Sequence, residues 1–587
     1  MTNTPLNDLI CKLKLHLDII YPDIDHDSYV LRLLKTMAIE DGGTLSAPHK
    51  NNWDQSDVFM ITYADTFNSP ETPPLHNLQH FLTTYLKGTV SSVHILPFYP
   101  YSSDDGFSVI DYYTVNESVG DWDDITRIAN DFSIMADVVI NHCSSRSGWF
   151  QNFKQQAGPG KDYFFEANPN DDLSLVVRPR TNPLLREVST VDGKRYVWCT
   201  FSQDQIDFDF SNPDVLLEFV SIIRFYLDKN ITVFRLDAVA FLWKKVGTSC
   251  LNLAETHEIV RLLRLLIERK NPNAIIITET NIPNRENLTY FGNANEAHAI
   301  YNFALPPLLI NTLITGNAHH LKSWLMALPP AQNGTTFFNF IASHDGIGLR
   351  PIEGILNEKE THQLINTMTR FGGRISWRTL DDGINKAYEI NISLYEALSG
   401  TIKGHDNLQQ QRFLCAHAIM LAIEGIPAIY VHSFMATLND HKRVELTNQN
   451  RSINRHKWDY ANLQEKLSNH NSHHASVFHK LKHYINIRRR QPAFHPNATQ
   501  YTLHLNEQLF AFWRQSPDRQ QSIFSINNIS DTSQTLALTD LNLIELDSWS
   551  DLIGGAIFRD LHQTITIEPY QTLWLTNIVY CDTDGPS

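Results

Sequence analysis

Eight short apolar runs punctuate the chain, at 58–63, 93–97, 134–140, 231–236, 275–278, 298–303, 336–341 and 428–431. They are rich in Val, Ile and Phe, the side chains that suit a buried pleated strand. Most are separated by stretches long enough for a helical crossover, which predicts parallel strands. Two gaps are too wide for one helix. Residues 143–230 are read as an inserted subdomain plus a connecting helix, and 346–410 as a second insertion, with Gly372, Gly373 and the polar run Asp381, Asp382, Gly383. Residues 1–50 form a helical extension, with Leu9, Ile10, Leu13, Leu15 and Leu17 at mixed helical spacing and a second apolar pattern at 29–38. From 497 to 587 the pattern changes to short strands and turns, at 509–513, 522–526 and 571–576, which predicts a small antiparallel β domain.

Four runs stop at ionisable residues, always at the C-terminal end. Phe234, Arg235, Leu236 and Asp237 end the fourth. Strand side chains alternate faces, so Arg235 and Asp237 share a side, and the arginine is expected to keep the carboxylate ionised. The third run ends in Asn141-His142, the fifth in Glu279, and the seventh in His344-Asp345. In a (β/α)8 barrel that end of every strand opens onto one pocket. The chain is therefore expected to be an α/β protein, a (β/α)8 TIM barrel over 51–142 and 231–496 with insertions after strands 3 and 7. Asp237, Glu279 and Asp345 would converge there.

Composition narrows the function without choosing it. The formal net charge is -16 with no basic block, which argues against nucleic acid as a partner. No apolar run reaches the roughly 18 residues of a membrane span. The first residues lack the pattern of a secretory signal. The six cysteines are scattered and form no Cys-x-x-Cys pair, which reads as reduced thiols in a cytoplasmic protein. No histidine or cysteine cluster has zinc spacing.

In this order, the four strand-end segments resemble the signature regions of the α-amylase clan (glycoside hydrolase family 13). Leu236 to Lys244, Ser343 to Gly348, Arg178-Pro179-Arg180 and Arg451 to Arg455 resemble its sucrose phosphorylase branch, and the likeness runs from about Trp53 to the C-terminus. The resemblance implies a retaining glucoside phosphorylase, with Asp237 as nucleophile, Glu279 as acid/base and Asp345 as the carboxylate that stabilises the transition state. It further implies sugar contacts from Asp104, Phe107, His142, Phe201, Gln205, Arg235 and His344, phosphate contacts from Arg180 and Tyr388, and an acceptor-site contact from Arg451. Retaining chemistry needs two carboxylates about 5 to 5.5 Å apart, one to attack the anomeric carbon and one to protonate the leaving oxygen. An acidic chain that binds phosphate also needs local cations, and Arg178 and Arg180, stiffened by Pro179, provide two.

The expected partners are sucrose or a related α-glucoside and inorganic phosphate, in a monomer or homodimer. Sister phosphorylases acting on glucosylglycerol, glucosylglycerate or sucrose 6'-phosphate are the alternative, and a hydrolase or transglucosidase of the same clan the third reading. Glu389 follows Tyr388 where the best-known sucrose phosphorylases carry Gln, and 381–386 also departs from them, which leaves the second substrate half open. Amylases of the clan often hold calcium through the equivalent of Asn141. This branch generally does not, so no metal and no cofactor are expected.

Overall fold

The computed structural model describes residues 5–45, 47, 49–180, 182–379, 385–541 and 548–578. Eight parallel strands close into a barrel: β1 (Phe59–Thr62), β2 (Ser92–Ile95), β3 (Ser133–Val139), β4 (Ile231–Asp237), β5 (Ile275–Thr278), β6 (Ala299–Tyr301), β7 (Thr336–Asn339) and β8 (Ile426–Tyr430). Each strand lies between its sequence neighbours, and β1 pairs with both β2 and β8, so no edge remains. Strand residues are almost continuously buried, as expected when both faces of a parallel sheet are covered. The sixth and seventh runs contribute shorter strands than their apolar length predicts, ending at Tyr301 and Asn339.

Two N-terminal helices, α1 (Pro5–Ile20) and α2 (His26–Met37), lie outside this ring. Leu9, Leu13, Leu17 and Ile20 form the buried stripe of α1, while Leu15 points to solvent from nearly the opposite side of the helix. Asp25 caps α2 by accepting from the Asp27 and Ser28 N–H groups. α2 packs on α3 (Pro213–Asp228), where Tyr29 donates to the Pro213 carbonyl at 2.6 Å. α1 packs on α4 (Ala254–Lys270), and Arg269 of α4 pairs with Asp8 at 2.8 Å. The helices therefore buttress the two crossovers that flank β4, the strand carrying Arg235 and Asp237.

Two excursions rise above the C-terminal ends of the strands. After β3 come a helix (Gly148–Gln155), a hairpin (Leu185–Thr190 with Gly193–Trp198) and a short ladder joining His142–Ser144 to Gln205–Asp207. After β7 comes a three-stranded antiparallel sheet of Ile347–Gly348, Asn385–Asn391 and Arg374–Thr379. The departure at 381–384 lies outside the described residues. The C-terminal region is a six-stranded antiparallel sheet from Thr499–Thr502 to Thr572–Thr576, with its own core around Trp549, Phe524 and Leu575. Buried Arg514 fastens it to the barrel through the Ala422 and His495 carbonyls, at 2.6 and 2.7 Å. Cys11, Cys143, Cys199, Cys250 and Cys415 are free thiols, and Cys581 lies outside the described residues. Among the described residues, no helix is long and apolar enough to cross a membrane.

Candidate active site

The period-two alternation of β4 places Arg235 and Asp237 on the barrel's inner face, where Arg235 Nη1 donates to Asp237 Oδ1 at 2.6 Å. The same guanidinium pairs with Asp137, its register partner on β3, and its Nη2 lies 3.9 Å from Glu279 Oε2. Glu279 stands just past the end of β5. The chain leaves Asp237 through Ala238 in a left-handed conformation (φ 53°), and the Ala238 N–H donates to Glu279 Oε2 at 3.1 Å. A left-handed alanine costs about 1 kcal/mol or more, and here it turns the backbone amide onto the second carboxylate. Arg235 thus binds the two catalytic candidates into one buried unit.

Burial pushes the Asp237 carboxyl well above its ordinary range. Arg235 opposes the shift, while Glu279 and Asp137 add to it. The expectation that Arg235 alone would hold Asp237 low is therefore corrected: desolvation outweighs the ion pair. Burial raises Glu279 as well, again against Arg235. Two buried carboxylates raised together share a proton over part of the working range. Arg235 bonds directly to Asp237 and only approaches Glu279.

Asp345 sits past β7 in a different field. Burial pushes it up, but the guanidiniums of Arg451, Arg455 and Arg235 together hold it far below the usual carboxylate range. Arg451 Nη1 meets Asp345 Oδ1 at 2.5 Å. The other edge of Arg451 is taken by Glu389, with contacts of 2.9 and 3.2 Å. Glu389 also accepts from the Gly346 N–H at 3.0 Å, and a Cβ on residue 346 would come within 2.4 Å of Glu389 Cγ, so glycine is required there. Arg451 lines the pocket as expected. Its charge, however, is spent on two carboxylates instead of being left free for an acceptor.

His142 faces the Phe107 carbonyl at 3.0 Å, and burial lowers its pKa. His344 is lowered to about 3, by burial first and then by Arg235 and Arg455 against Asp345, so its ring is neutral. The Phe107 ring stacks on His344, with centroids 5.1 Å apart and planes 7° from parallel. One of its faces is therefore covered before any sugar arrives. Gln205 donates to Asp104 and to the Phe107 carbonyl, both at 3.3 Å, and Phe201 packs beside His142. Asp104 and Asp105 both adopt left-handed backbone angles, but their roles separate. Asp104 lines the pocket, and Arg451, Arg455 and Arg180 overcome its burial and keep it ionised. Asp105 is tied to Arg455 at 2.6 Å.

Tyr388 and Arg180 close the wall opposite. Burial raises the Tyr388 phenol, opposed by Arg180. The thirteen residues to which the resemblance assigns catalytic, sugar, phosphate or acceptor contacts line a single cavity, together with Asn281, Phe241 and Arg350, whereas Arg178 is not part of its lining.

Three contributors were not named. Asp204 accepts from the hydroxyls of Ser102, Ser103, Ser108 and Ser145, at 2.5, 2.6, 3.0 and 2.6 Å, and so pins the loop that carries Asp104 and Phe107. Asp137 holds Arg235 from below. It interrupts the apolar third run, and that interruption was a usable signal. Arg350 enters from the second excursion, with no periodic pattern to mark it. Beneath the pocket, the buried Lys244 ammonium meets Asn141 Oδ1 at 2.7 Å and Asp207 Oδ2 at 3.0 Å.

This geometry suits a buried nucleophile and proton donor facing a cation-lined opening. The α-amylase catalytic domain model matches residues 82–349. The chain is 40% identical over 528 residues to glucosylglycerate phosphorylase of Escherichia coli (strain K12), covering 90% of this chain and 93% of that protein. It is 29% identical over 462 residues to sucrose phosphorylase of Agrobacterium vitis, covering 75% and 89% respectively. Among solved structures it is similar to sucrose 6F-phosphate phosphorylase from Thermoanaerobacter thermosaccharolyticum, with a TM-score of 0.70 and 25% identity over 81% of this chain and 94% of that one.

Proposed function

The chain belongs to the glucoside phosphorylase branch of the α-amylase family (glycoside hydrolase family 13), and we propose that its substrate is glucosylglycerate. The observation that carries the substrate is the difference in likeness. Identity to the glucosylglycerate phosphorylase is 40% across 90% of the chain, against 29% across 75% for the sucrose phosphorylase. The first expectation, sucrose, gives way to one of its alternatives. Glu389 is consistent with this, since it occupies a position where the sucrose enzymes differ.

The reaction is glucosylglycerate plus phosphate giving α-glucose 1-phosphate plus glycerate, by double displacement. Asp237 attacks the anomeric carbon as Glu279 delivers its proton to the glycosidic oxygen, and glycerate leaves. Phosphate then attacks the glucosyl ester, its proton passes to Glu279, and Asp237 is released. Two inversions retain configuration. Ionised Asp345 and neutral His142 and His344 contact the sugar hydroxyls, and Asp345 supports the positive charge that develops on the ring. Arg180 and the Tyr388 hydroxyl receive the phosphate.

A panel of glucosylglycerate, sucrose, sucrose 6'-phosphate and glucosylglycerol, each with and without phosphate, tests the proposal. Glucosylglycerate should give the highest kcat/KM, and glucose 1-phosphate should form only with phosphate present. Faster phosphorolysis of sucrose would return the assignment to the first expectation. Cleavage indifferent to phosphate would remove the phosphorylase reading altogether.

A further inference from the structure

Arg180, Arg350 and Arg451 all line the catalytic cavity, and they differ in what neutralises them. Arg451 is paired twice, with Asp345 and Glu389. Among the described residues, neither Arg180 nor Arg350 forms an ion pair with any carboxylate. Arg350 opens a short turn (Arg350–Ile352) five positions after Asp345, at the mouth of β7. The preceding Leu349 N–H donates to the Tyr388 carbonyl at 3.0 Å, which fixes this turn to the strand that presents Tyr388.

The acids nearest Arg350 are already committed. Glu353 pairs with Arg378 at 3.0 Å and with Lys386 at 2.7 Å, and Glu286 accepts from Asn252 at 2.9 Å. The Arg350 Nε is buried and, among the described residues, has no hydrogen-bond partner. Burial and the Arg378 charge disfavour the Arg350 cation, against Tyr388, Glu353 and Glu286. A half-buried guanidinium that lines a cavity and has no carboxylate within ion-pair distance among the described residues is an incomplete ion pair.

On the basis of the glucosylglycerate reading above, we propose that Arg350 binds the carboxylate of the departing acid and is the residue that selects a carboxylate-bearing acceptor. The fork of a guanidinium matches a planar carboxylate. Arg180 is left for the phosphate. A site built to hold a charged group rejects the analogue lacking that group, because its own charge is then stranded. A neutral glycerol or fructose half would leave Arg350 unsatisfied.

The test uses the reverse reaction, in which α-glucose 1-phosphate is the common donor and the acceptor is D-glycerate, glycerol or fructose 6-phosphate. Any effect of Arg350 on the donor phosphate then cancels in the ratio of acceptors. In Arg350→Gln the ratio of kcat/KM for glycerate over glycerol should fall roughly ten- to a hundred-fold, mostly through the KM for glycerate. Arg350→Lys, which keeps the charge and loses the fork, should fall between. Thermal melting checks the fold, and if Arg350→Gln does not fold, the ratio in Arg350→Lys decides. An unchanged ratio, in an enzyme whose wild type does use glycerate, overturns the assignment to Arg350 and leaves the proposed function standing. A wild type that passes over glycerate for fructose 6-phosphate, or uses no acid, overturns both.

Discussion

The two halves of the catalytic cavity are built on opposite plans. The half proposed to receive the sugar is built largely on strand ends and paired within itself: Asp137, Asp237 and Glu279 surround Arg235, while Asp345 and, from the second excursion, Glu389 grip Arg451. Both guanidiniums are matched by carboxylates before substrate arrives. The acceptor half is carried by the two excursions, and Arg180 and Arg350 meet no carboxylate among the described residues. A glucosyl unit is neutral, so its subsite can be electrically finished in advance and held rigid. Phosphate and an acid acceptor bring their own negative charge, and a subsite for them has to be left with cations to spare.

Substitutions in the closed half should cost most. Asp237→Asn removes the nucleophile while keeping its shape and should lower turnover on the order of 10^4-fold or more, with melting little changed. Mass spectrometry should then find no glucosyl-enzyme, and near-normal activity would end the nucleophile assignment.

Glu279→Gln should lower phosphorolysis of glucosylglycerate by roughly 10^2- to 10^4-fold. Glucosyl fluoride, whose leaving group departs without a proton, should be far less affected, and equal losses on both would count against Glu279 as the acid. The pH profile sharpens this prediction. Glu279 must be protonated to donate, and its pKa is raised, so activity should persist above the ordinary glutamate range and fall as pH rises through the shifted value. That basic limb should disappear in Glu279→Gln.

The open half should respond more mildly and through different constants. Arg180→Ala should raise the phosphate concentration needed for saturation by roughly ten- to a hundred-fold. The ratio of free glucose to glucose 1-phosphate should rise with it, because water competes better when phosphate binds poorly. A ratio that does not move would place the phosphate cation elsewhere. The smallest effect is expected where the halves touch. Glu389→Gln keeps the volume and removes one of two charges from Arg451, while Asp345 still holds the other edge. Stability should fall by about 1 to 3 kcal/mol, read from denaturant unfolding, with turnover reduced less than ten-fold.

The same division governs what the sequence discloses. The barrel and its carboxylates are legible because strands have a short period, and a polar residue ending an apolar run marks the mouth. Asp104 and Phe107 could be named through the resemblance, but the reason they stay in place could not. Asp204 sits about a hundred positions away and reaches the Ser102–Ser108 loop only after the chain has folded. Arg350 lies in an excursion with no period to read. The direction of the Asp237 shift was hidden for another reason: the arginine two residues away is visible in the string of letters, whereas the depth of burial that outweighs it belongs to the assembled barrel.

Lys244 has a consequence of a different kind. Its ammonium joins Asn141, at the end of β3, to Asp207 in the excursion above, on the two sides of His142. The positive ion that braces these segments is covalently part of the chain, so its occupancy is fixed once the fold forms and does not vary with the medium. The same attachment makes the brace irreplaceable. Lys244→Met would remove the ion and the arm that delivers it, leaving Asp207 a charge that no change of ionic strength can restore to the same point.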